Sequence, residues 1–334
     1  MIYVLKISYF ENGSIENIGF GIYLPGLIEF NINFRNWFKG FAVAFSFRNK
    51  IQGTVLISFF ATFLSILSGS ALAFDPSTEG KWQGNGKSQL RLIGAKTEWL
   101  GQNQLFAGIE IRLAPKWKTY WRTPGDTGIP PYFDWSGSEN LKKAEVMYPV
   151  PGRFQDPTGM TIGYKSQVTL PVLLTPEDPL KPIKLKLSAQ YAICYDLCVP
   201  VSASQSLTID GDSAQRFAPV LSMALALTPK PMKEAKNGLG VRTVKIEKEK
   251  DASSLTLNVL VPASSKEVDL FVEGPDGMYV PTPKLVKKAQ TSDTASLYKI
   301  SLSDVDEAQK FKGLVLTCTL RADDLAVVQP CPVQ

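Results

Sequence analysis

From about residue 80 onward, the chain is built of short segments in which apolar and polar side chains alternate, and glycine and proline separate these segments. The stretch 183–194, IKLKLSAQYAIC, is one such segment, and TPGDTGIPP at 123–131 is one of the turns. Alternation with a period of two is typical of half-buried strands, and many short strands with frequent turns favour a β-sandwich or barrel. The sequence therefore predicts an all-β domain over residues 74–212. Its further strands are expected at 105–114, 167–174 and 202–210.

Residues 213–231 differ from their surroundings because their apolar side chains recur at helical spacing, which predicts a short helix or linker. Ser213 is the predicted N-cap, and a pair of prolines ends the segment. The apolar stripe consists of Phe217, Val220, Leu221 and Leu225. From residue 232 to 334 the strand pattern resumes and predicts a second, smaller β-sandwich-like domain. Its strands are expected at 241–250, 254–263, 267–274, 296–304, 314–322 and 325–333, with a turn at Asp276-Gly277.

Residues 48–73 have the three parts of a secretory signal peptide. Arg48 and Lys50 form a basic start, 55–67 is a mostly apolar run, and Ala71-Leu72-Ala73 is an A-x-A cleavage signal. We expect cleavage after Ala73 and a soluble mature protein, and the alternative is a retained N-terminal membrane anchor. The 47 residues before the signal would make an over-long basic region, which indicates that translation starts within the printed sequence.

The chain contains no histidine, which excludes Ser-His-Asp and Cys-His catalysis and every histidine-containing zinc or copper site. The four cysteines lack the paired short spacings of a four-cysteine zinc site. The formal net charge is +5, from 36 basic and 31 acidic residues without a basic block of the kind that nucleic acid binding needs. The sequence predicts neither a metal nor a nucleic acid ligand.

Two of the four cysteines, Cys318 and Cys331, flank an expected hairpin whose turn lies near residues 321–324. The two residues would face each other on neighbouring strands, in a compartment that export makes oxidising. We predict a structural disulfide, and closing a loop of this length is worth about 3 kcal/mol in the chain-entropy model.

The other two cysteines, Cys194 and Cys198, have only three residues between them. A ring this small closes little loop entropy, so a disulfide here would add less stability than the other pair. Spacing alone leaves a structural staple and a redox centre equally open. The neighbouring residues that bear on the choice are Tyr191, Tyr195, Asp196 and Pro200.

An aromatic run at 117–135 contains Trp117, Tyr120 and Trp121. Aromatic residues at this density either form a sugar or peptide platform or fill a sandwich core, and the core is the favoured reading. Asp126 and Asp134 are read as turn residues, because no partner arrangement supports glycosidase chemistry.

Several motifs in order decide between the two readings of Cys194 and Cys198. They are WKTYWRTPGDTGIPPYFDWSGS (117–138), YPVPGRF (148–154), GYKSQVTLPV (163–172) and YAICYDLCVP (191–200). Over roughly residues 80–212, this series resembles the N-terminal periplasmic domain of the thiol:disulfide interchange protein DsbD, in particular its ScsB-like branch.

The resemblance implies an immunoglobulin-like fold and a redox role for Cys194 and Cys198. It implies a membrane-embedded thiol reductant of the DsbD/CcdA type as the electron donor, and thioredoxin-like or disulfide-bonded periplasmic proteins as partners. Thiol–disulfide exchange of this kind needs no bound cofactor. The membrane domain and the thioredoxin-like domain of the full-length family are not part of the chain, so the reductant would be a separate protein.

Two features depart from the family pattern. The family has C-x5-C, whereas this chain has C-x3-C. The family also shields its disulfide with an aromatic residue on a cap loop, and the corresponding stretch here is FQDPTGMTIGY (154–164). The family's aromatic position falls near Pro157. The residues expected to form or flank the shield are therefore Phe154, Asp156, Pro157, Met160 and Tyr164.

The sequence thus supports two functions of different classes. The first is an exported thiol–disulfide exchange protein that accepts electrons from a membrane partner and reduces periplasmic disulfide proteins, as a protein-disulfide reductase component. The alternative is a non-catalytic periplasmic binding or assembly module with two structural disulfides, which would recruit a partner by strand addition.

Overall fold

The computed structural model of the protein describes residues 3–7, 18–22, 79–126, 128–156, 159–210, 215–234, 238–249, 252–262, 264–288, 295–303 and 305–334. The chain divides into two units, Met1–Leu72 and Ala73–Gln334. In the first unit, strands β1 (Tyr3–Ile7) and β2 (Ile18–Ile22) pair in antiparallel fashion. The predicted signal peptide lies outside the described residues.

The second unit begins with a β-sandwich, here called the first sandwich (residues 79–210). Its strands are β3 (Gln83–Gly84), β4 (Ser88–Trp99), β5 (Gln102–Leu113), β6 (Lys118–Gly125), β7 (Tyr132–Asp134), β8 (Leu141–Val146), β9 (Gly152–Asp156), β10 (Gly159–Lys165), β11 (Gln167–Pro176), β12 (Ile183–Cys194) and β13 (Cys198–Ile209). One sheet has the order β3-β4-β5-β11-β8. The other has the order β13-β12-β6-β10-β9, with β7 paired to β12.

Alternating side chains account for the layers of the first sandwich. In β12, Ile183, Leu185 and Leu187 are buried, whereas the lysines between them are exposed. The buried side chains of β12 meet those of the facing sheet, such as Leu92 and Ile109, in one core. Each strand of alternating sequence thereby buries one face, as the sequence pattern predicts.

Helix α1 (Ala218–Ala226) follows the first sandwich and packs against its β4–β5 sheet. Leu221 lies over Gly108, where a Cβ atom would come within 2.9 Å of the Leu221 side chain. The helix lies within the segment 213–231 that is predicted as a helix or linker, and Lys230–Pro231 at the end of this segment pairs with a later strand. Pro219 lies in the first turn, and Phe217 occupies the N-cap position without a capping side chain. The predicted N-cap, Ser213, lies outside the described residues.

A second sandwich (residues 230–334) completes this unit. Its elements are β14 (Lys230–Pro231), β15 (Gly240–Glu249), β16 (Ala252–Leu260), β17 (Val268–Glu273), β18 (Lys284–Lys287), β19 (Ala295–Leu302), α2 (Val305–Phe311), β20 (Val315–Ala322) and β21 (Leu325–Pro332). The sheets β14-β21-β20-β17 and β15-β16-β19-β18 enclose a core that includes Leu257, Phe311 and Leu316. The predicted turn is present at Asp276-Gly277, where both residues have positive φ. The all-β prediction is confirmed.

The second sandwich contacts the first through β17, whose Phe271 crosses into the first core. The Phe271 ring meets Trp121 of β6 edge-on, with the ring centroids 5.5 Å apart, and it is fully buried. A residue of the second sandwich therefore belongs to the core of the first.

Ion pairs border this aromatic contact. Arg122 donates two hydrogen bonds to the Glu273 carboxylate, at 2.8 and 2.7 Å. Arg153 of β9 donates one to Asp269, at 2.7 Å from Nε to Oδ1. Paired, directional contacts of this kind set the orientation of one sandwich on the other. Within the described part of the chain, no helix is long and apolar enough to cross a membrane.

Candidate redox site

The two closely spaced cysteines lie at the turn end of a long hairpin. β12 and β13 pair along their whole length, and the last pair in the register is Cys194 with Cys198, with residues 195–197 forming the turn. Their Cα atoms are 4.1 Å apart and their sulfurs form a disulfide. Directly opposed residues of an antiparallel pair are close enough for such a bond. The C-x3-C spacing is therefore the spacing of a hairpin whose turn has three residues.

The two sulfur-bearing residues differ in their access to solvent. Cys194 is 8% exposed and packs with Tyr120 and Ala192, whereas Cys198 is exposed. A thiolate of another molecule approaches an exposed sulfur far more easily than a buried one. The geometry makes Cys198 the accessible member of the pair.

Tyr120 of β6 contacts the exposed cysteine directly, with 2.9 Å between its hydroxyl oxygen and Cys198 Sγ. Successive residues of a strand point to opposite faces, so Trp121 faces the inter-sheet core while Tyr120 faces away from it. Tyr120 is nevertheless only 3% exposed, because the end of the cysteine hairpin covers it. Burial, and in second place the charge of Asp156, raises the pKa of Tyr120, so its hydroxyl stays protonated and can donate to the sulfur.

A buried ion pair lies beside the disulfide. Lys118 is the β6 residue opposite Cys194 in the register, and its side chain is buried against Asp156, to which it donates a hydrogen bond. Thr161 donates a second hydrogen bond to the same carboxylate oxygen, at 2.6 Å. Burial alone would raise the pKa of Asp156, but the hydrogen bonds from Lys118 and Thr161 outweigh it and hold that pKa below its usual value. The Asp156 carboxyl is therefore ionised at neutral pH.

The residues expected to shield the disulfide lie on the β9–β10 hairpin, here called the side hairpin (residues 152–165), which pairs with β6. Of the residues expected to form the shield, Asp156 is the one that contacts the site, through the hydrogen bond that it accepts from Lys118. Tyr164 is buried in the sandwich core, where its hydroxyl donates to the Pro149 carbonyl at 2.7 Å. Phe154 is half-buried, and its ring lies under Lys165 Nζ at 4.1 Å.

Met160 of the side hairpin is half-buried, and its backbone N–H donates to Asp126 Oδ2 at 2.8 Å. The other oxygen of Asp126 accepts a hydrogen bond from the hydroxyl of Tyr279, a residue of the second sandwich, at 2.9 Å. Asp126 thus connects the side hairpin of the first sandwich with the second sandwich. Pro157 lies outside the described residues.

The predicted neighbours of the cysteines fall into two groups. Tyr191 is buried, shares a 2.7 Å hydrogen bond with the Ser88 hydroxyl, and has a pKa that burial raises. Tyr195, Asp196 and Pro200 are exposed around the hairpin end. Tyr191 therefore supports the core, and the other three form the surface next to Cys198.

Cys318 and Cys331 also form a disulfide, between β20 and β21, with 6.2 Å between their Cα atoms. Both residues are buried in the core of the second sandwich, at 0% and 2% exposure. A sulfur in this position is not reachable by another protein without unfolding. The two disulfides thus differ sharply in access.

The sequence alone does not assign Tyr120 and Lys118 to the site, because the aromatic run around them is typical of a core. The usable signal in the motif WKTYW is the adjacent pair Tyr120 and Trp121, two large rings that point to opposite faces of a strand and so favour a strand covered on both faces. In the structure, Lys118 to Trp121 are all buried. Among the described residues there is no group of three or more metal-binding side chains.

Comparisons with known proteins place this site in context. Residues 94–209 match the family model "Thiol:disulfide interchange protein DsbD, N-terminal", and the match includes both cysteines of the hairpin. The chain is similar to the crystal structure of the N-terminal periplasmic domain of ScsB from Proteus mirabilis, with 19% sequence identity and a TM-score of 0.61. That likeness covers 77% of this chain and 98% of the ScsB domain, so it extends beyond the segment matched by the family model. The predicted immunoglobulin-like all-β fold is confirmed. No curated protein matches the chain.

Proposed function

Because residues 94–209 form a domain of the DsbD N-terminal type, we propose that the protein is an exported thiol–disulfide exchange protein whose Cys194–Cys198 pair carries the electrons. One observation supports this above all. The disulfide ends a hairpin within the matched segment, where Cys198 is an exposed residue and a tyrosine hydroxyl lies 2.9 Å from its sulfur. A purely structural staple has no need of an accessible sulfur.

In the proposed reaction, the reduced protein attacks a disulfide of its partner through the Cys198 thiolate. A bond forms between Cys198 Sγ and one partner sulfur, and the other partner sulfur leaves as a thiolate. Cys194, after losing its proton, then attacks Cys198 Sγ and displaces the first partner sulfur. The partner has gained two electrons and two protons, and the Cys194–Cys198 disulfide has formed.

Tyr120 and the Lys118–Asp156 pair have supporting roles in this scheme. The Tyr120 hydroxyl donates to Cys198 Sγ and stabilises it as a thiolate. Lys118, opposite Cys194, holds a positive charge near the sulfurs, and Asp156 fixes its position. The exchange requires no cofactor, because the electrons stay on sulfur.

The partners follow from the resemblance. We infer a membrane-embedded thiol reductant of the DsbD/CcdA type as the donor and thioredoxin-like or disulfide-bonded proteins of the periplasm as acceptors. The periplasmic location is supported by the signal at residues 48–73 and by the similarity to the N-terminal periplasmic domain of ScsB. The proposal includes cleavage after Ala73.

A redox titration tests the proposal. The mature protein is equilibrated with a dithiothreitol series, its thiols are trapped, and each cysteine pair is quantified by mass mapping. We expect Cys194–Cys198 to equilibrate above about −300 mV while Cys318–Cys331 stays oxidised. A Cys198→Ser variant controls for the assignment of the reactive pair. If both pairs resist reduction until the protein unfolds, both are staples and the binding-module function takes its place.

A further inference from the structure

The surface around Cys198 has an apolar centre. Leu197, in the turn of the cysteine hairpin, is 78% exposed, and Tyr195 beside it is 44% exposed. The Tyr195 ring packs against Trp117, with 6.2 Å between the ring centroids. Large apolar side chains that are exposed together, next to a reactive group, mark a surface that another molecule covers.

Basic side chains surround this apolar centre. Lys87 Nζ lies 5.2 Å from the centre of the Trp117 ring, and Lys116 Nζ lies 5.9 Å from that of Tyr195. Arg112 lines the same shallow cavity as Lys87. We call Lys87, Arg112 and Lys116 the basic rim.

No carboxylate neutralises the basic rim within the described part of the chain. The nearby acidic groups are engaged elsewhere: Asp156 pairs with Lys118, and Glu110 pairs with Arg91. Asp196, in the turn itself, is the exposed acidic residue of the hairpin end. Three cations against one carboxylate leave this end of the sandwich positively charged, which makes it attractive to an acidic surface.

We propose that the basic rim and the apolar centre together form a docking surface for a protein whose own exposed cysteine or disulfide lies among acidic residues. The inference rests on the proposed function, because it takes Cys198 as the point of transfer. An apolar core with a charged rim is the usual anatomy of a protein interface. A second copy of this chain does not fit, since two basic rims would repel each other. Rim charges act mainly on the rate of association, so the surface selects partners by how fast they dock.

The test compares two matched peptides, each closed by one disulfide, with glutamates flanking the ring in one and lysines in the other. The reduced protein is mixed with each peptide, and disulfide transfer is followed by thiol trapping and mass analysis. At low ionic strength we expect the glutamate peptide to react about tenfold faster. Salt should slow the glutamate peptide and accelerate the lysine peptide.

A charge-reversed variant, Lys87→Glu with Lys116→Glu, supplies the second arm. Both side chains are exposed, so the fold should tolerate the change, and Lys87→Gln with Lys116→Gln serves as a milder version. The preference for the glutamate peptide should disappear or invert. Lys96→Glu is the matched control, because Lys96 is an exposed lysine of β4 about 26 Å from the strand's start at Ser88, which directly follows Lys87, and this variant should keep the preference.

The outcomes separate the two proposals. If both peptides are reduced at equal rates in the wild-type protein, the docking inference is wrong while the exchange function stands. If neither peptide is reduced by protein whose Cys194 and Cys198 are free thiols, the exchange function itself fails. A glutamate preference that survives charge reversal would place the docking surface elsewhere on the molecule.

Discussion

At the scale of single residues, the contact between Tyr120 and Cys198 is the most informative feature of the site. A hydroxyl that burial keeps protonated lies at hydrogen-bonding distance from the sulfur of the exposed cysteine, Cys198. Because a hydrogen bond to a charged sulfur is stronger than one to a neutral sulfur, the contact favours the thiolate over the thiol. In the proposed exchange, the tyrosine therefore contributes to the chemistry as well as to the packing.

We expect Tyr120→Phe to slow exchange at neutral pH by about tenfold, the equivalent of a hydrogen bond to a charged group. The rate of disulfide transfer, measured against pH, is the appropriate readout, because the whole profile should move toward higher pH. Tyr191→Phe is the matched control, since it removes a buried hydroxyl that bonds Ser88 and not sulfur. Equal loss in both variants would mean that Tyr120 acts through packing alone.

The pH dependence of stability gives a second residue-scale prediction, for Asp156. Its pKa is lower in the folded protein than in the unfolded chain, so it stabilises the fold above its unfolded pKa, and the contribution is lost as the pH falls through the folded value. Asp156→Asn should cost about 2 kcal/mol at neutral pH, because it leaves Lys118 buried without its counter-ion. The difference between variant and wild type should shrink below about pH 3.8, where the carboxyl protonates in the unfolded chain. Urea unfolding at several pH values measures this, and a difference independent of pH would contradict it.

Residue-scale features could be predicted only in part from the sequence. The pairing of Cys194 with Cys198 follows from their spacing in a strand-rich stretch. The role of Tyr120 does not, because Tyr120 and Trp121 look alike in sequence and differ only in which face of β6 each occupies. Which strands cover each face of β6 depends on segments far along the chain, and no local sequence pattern contains that information.

At the scale of secondary structure, the side hairpin (residues 152–165) is the element that most affects the site. It carries Asp156 toward Lys118, and its strand β10 lies directly on β6. Gly163 makes this approach possible, because it faces Tyr120 in the register and any Cβ there would collide with the Thr119 carbonyl oxygen. A backbone atom cannot be moved aside as a flexible side chain can.

Gly163→Ala should therefore destabilise the protein by about 2 kcal/mol and slow disulfide transfer, since β10 must shift away from β6. Gly137→Ala is the control, because its new methyl group would meet only the Lys186 side chain at an ordinary distance of 3.4 Å. Chemical denaturation and the transfer rate are measured on both variants. Wild-type values for Gly163→Ala would show that the two strands are less closely packed than described.

Helix α1 shows that the sequence pattern predicts the apolar face of a helix better than its boundaries. Its apolar stripe is real, since Leu221 and Leu225 are buried. The segment 213–231, predicted as a helix or linker, contains both, since the helix ends at Ala226 and Lys230–Pro231 pairs with β21, some hundred residues further along the chain. No local pattern contains that distant pairing.

At the scale of the whole unit, the contact through β17 makes the two sandwiches depend on each other. Arg122 holds Glu273 with two hydrogen bonds, and Thr123 adds a third at 2.8 Å. The Glu273 side chain is largely buried in this contact. Removing it leaves a guanidinium without its partner at the interface.

Glu273→Ala should cost about 3 kcal/mol and separate a single unfolding transition into two, one for each sandwich. Glu267→Ala is the control, since Glu267 precedes the same strand but lies exposed, 3.4 Å from Arg321. Calorimetry shows the number of unfolding transitions, and hydrogen exchange of the side hairpin shows the loss of stability. One transition of unchanged midpoint would show that the interface contributes little.

The position of Phe271 has a consequence for dividing this protein into fragments. The segment that sequence similarity delimits, residues 94–209, ends well before Phe271, yet the ring of Phe271 fills part of that segment's interior. A fragment cut at the similarity boundary would keep Cys194 and Cys198 and lose a core side chain, leaving a cavity beside Trp121 open to water. The segment matched by the family model and the packing unit of this chain therefore have different edges, and a fragment designed to behave like the intact protein has to follow the packing edge.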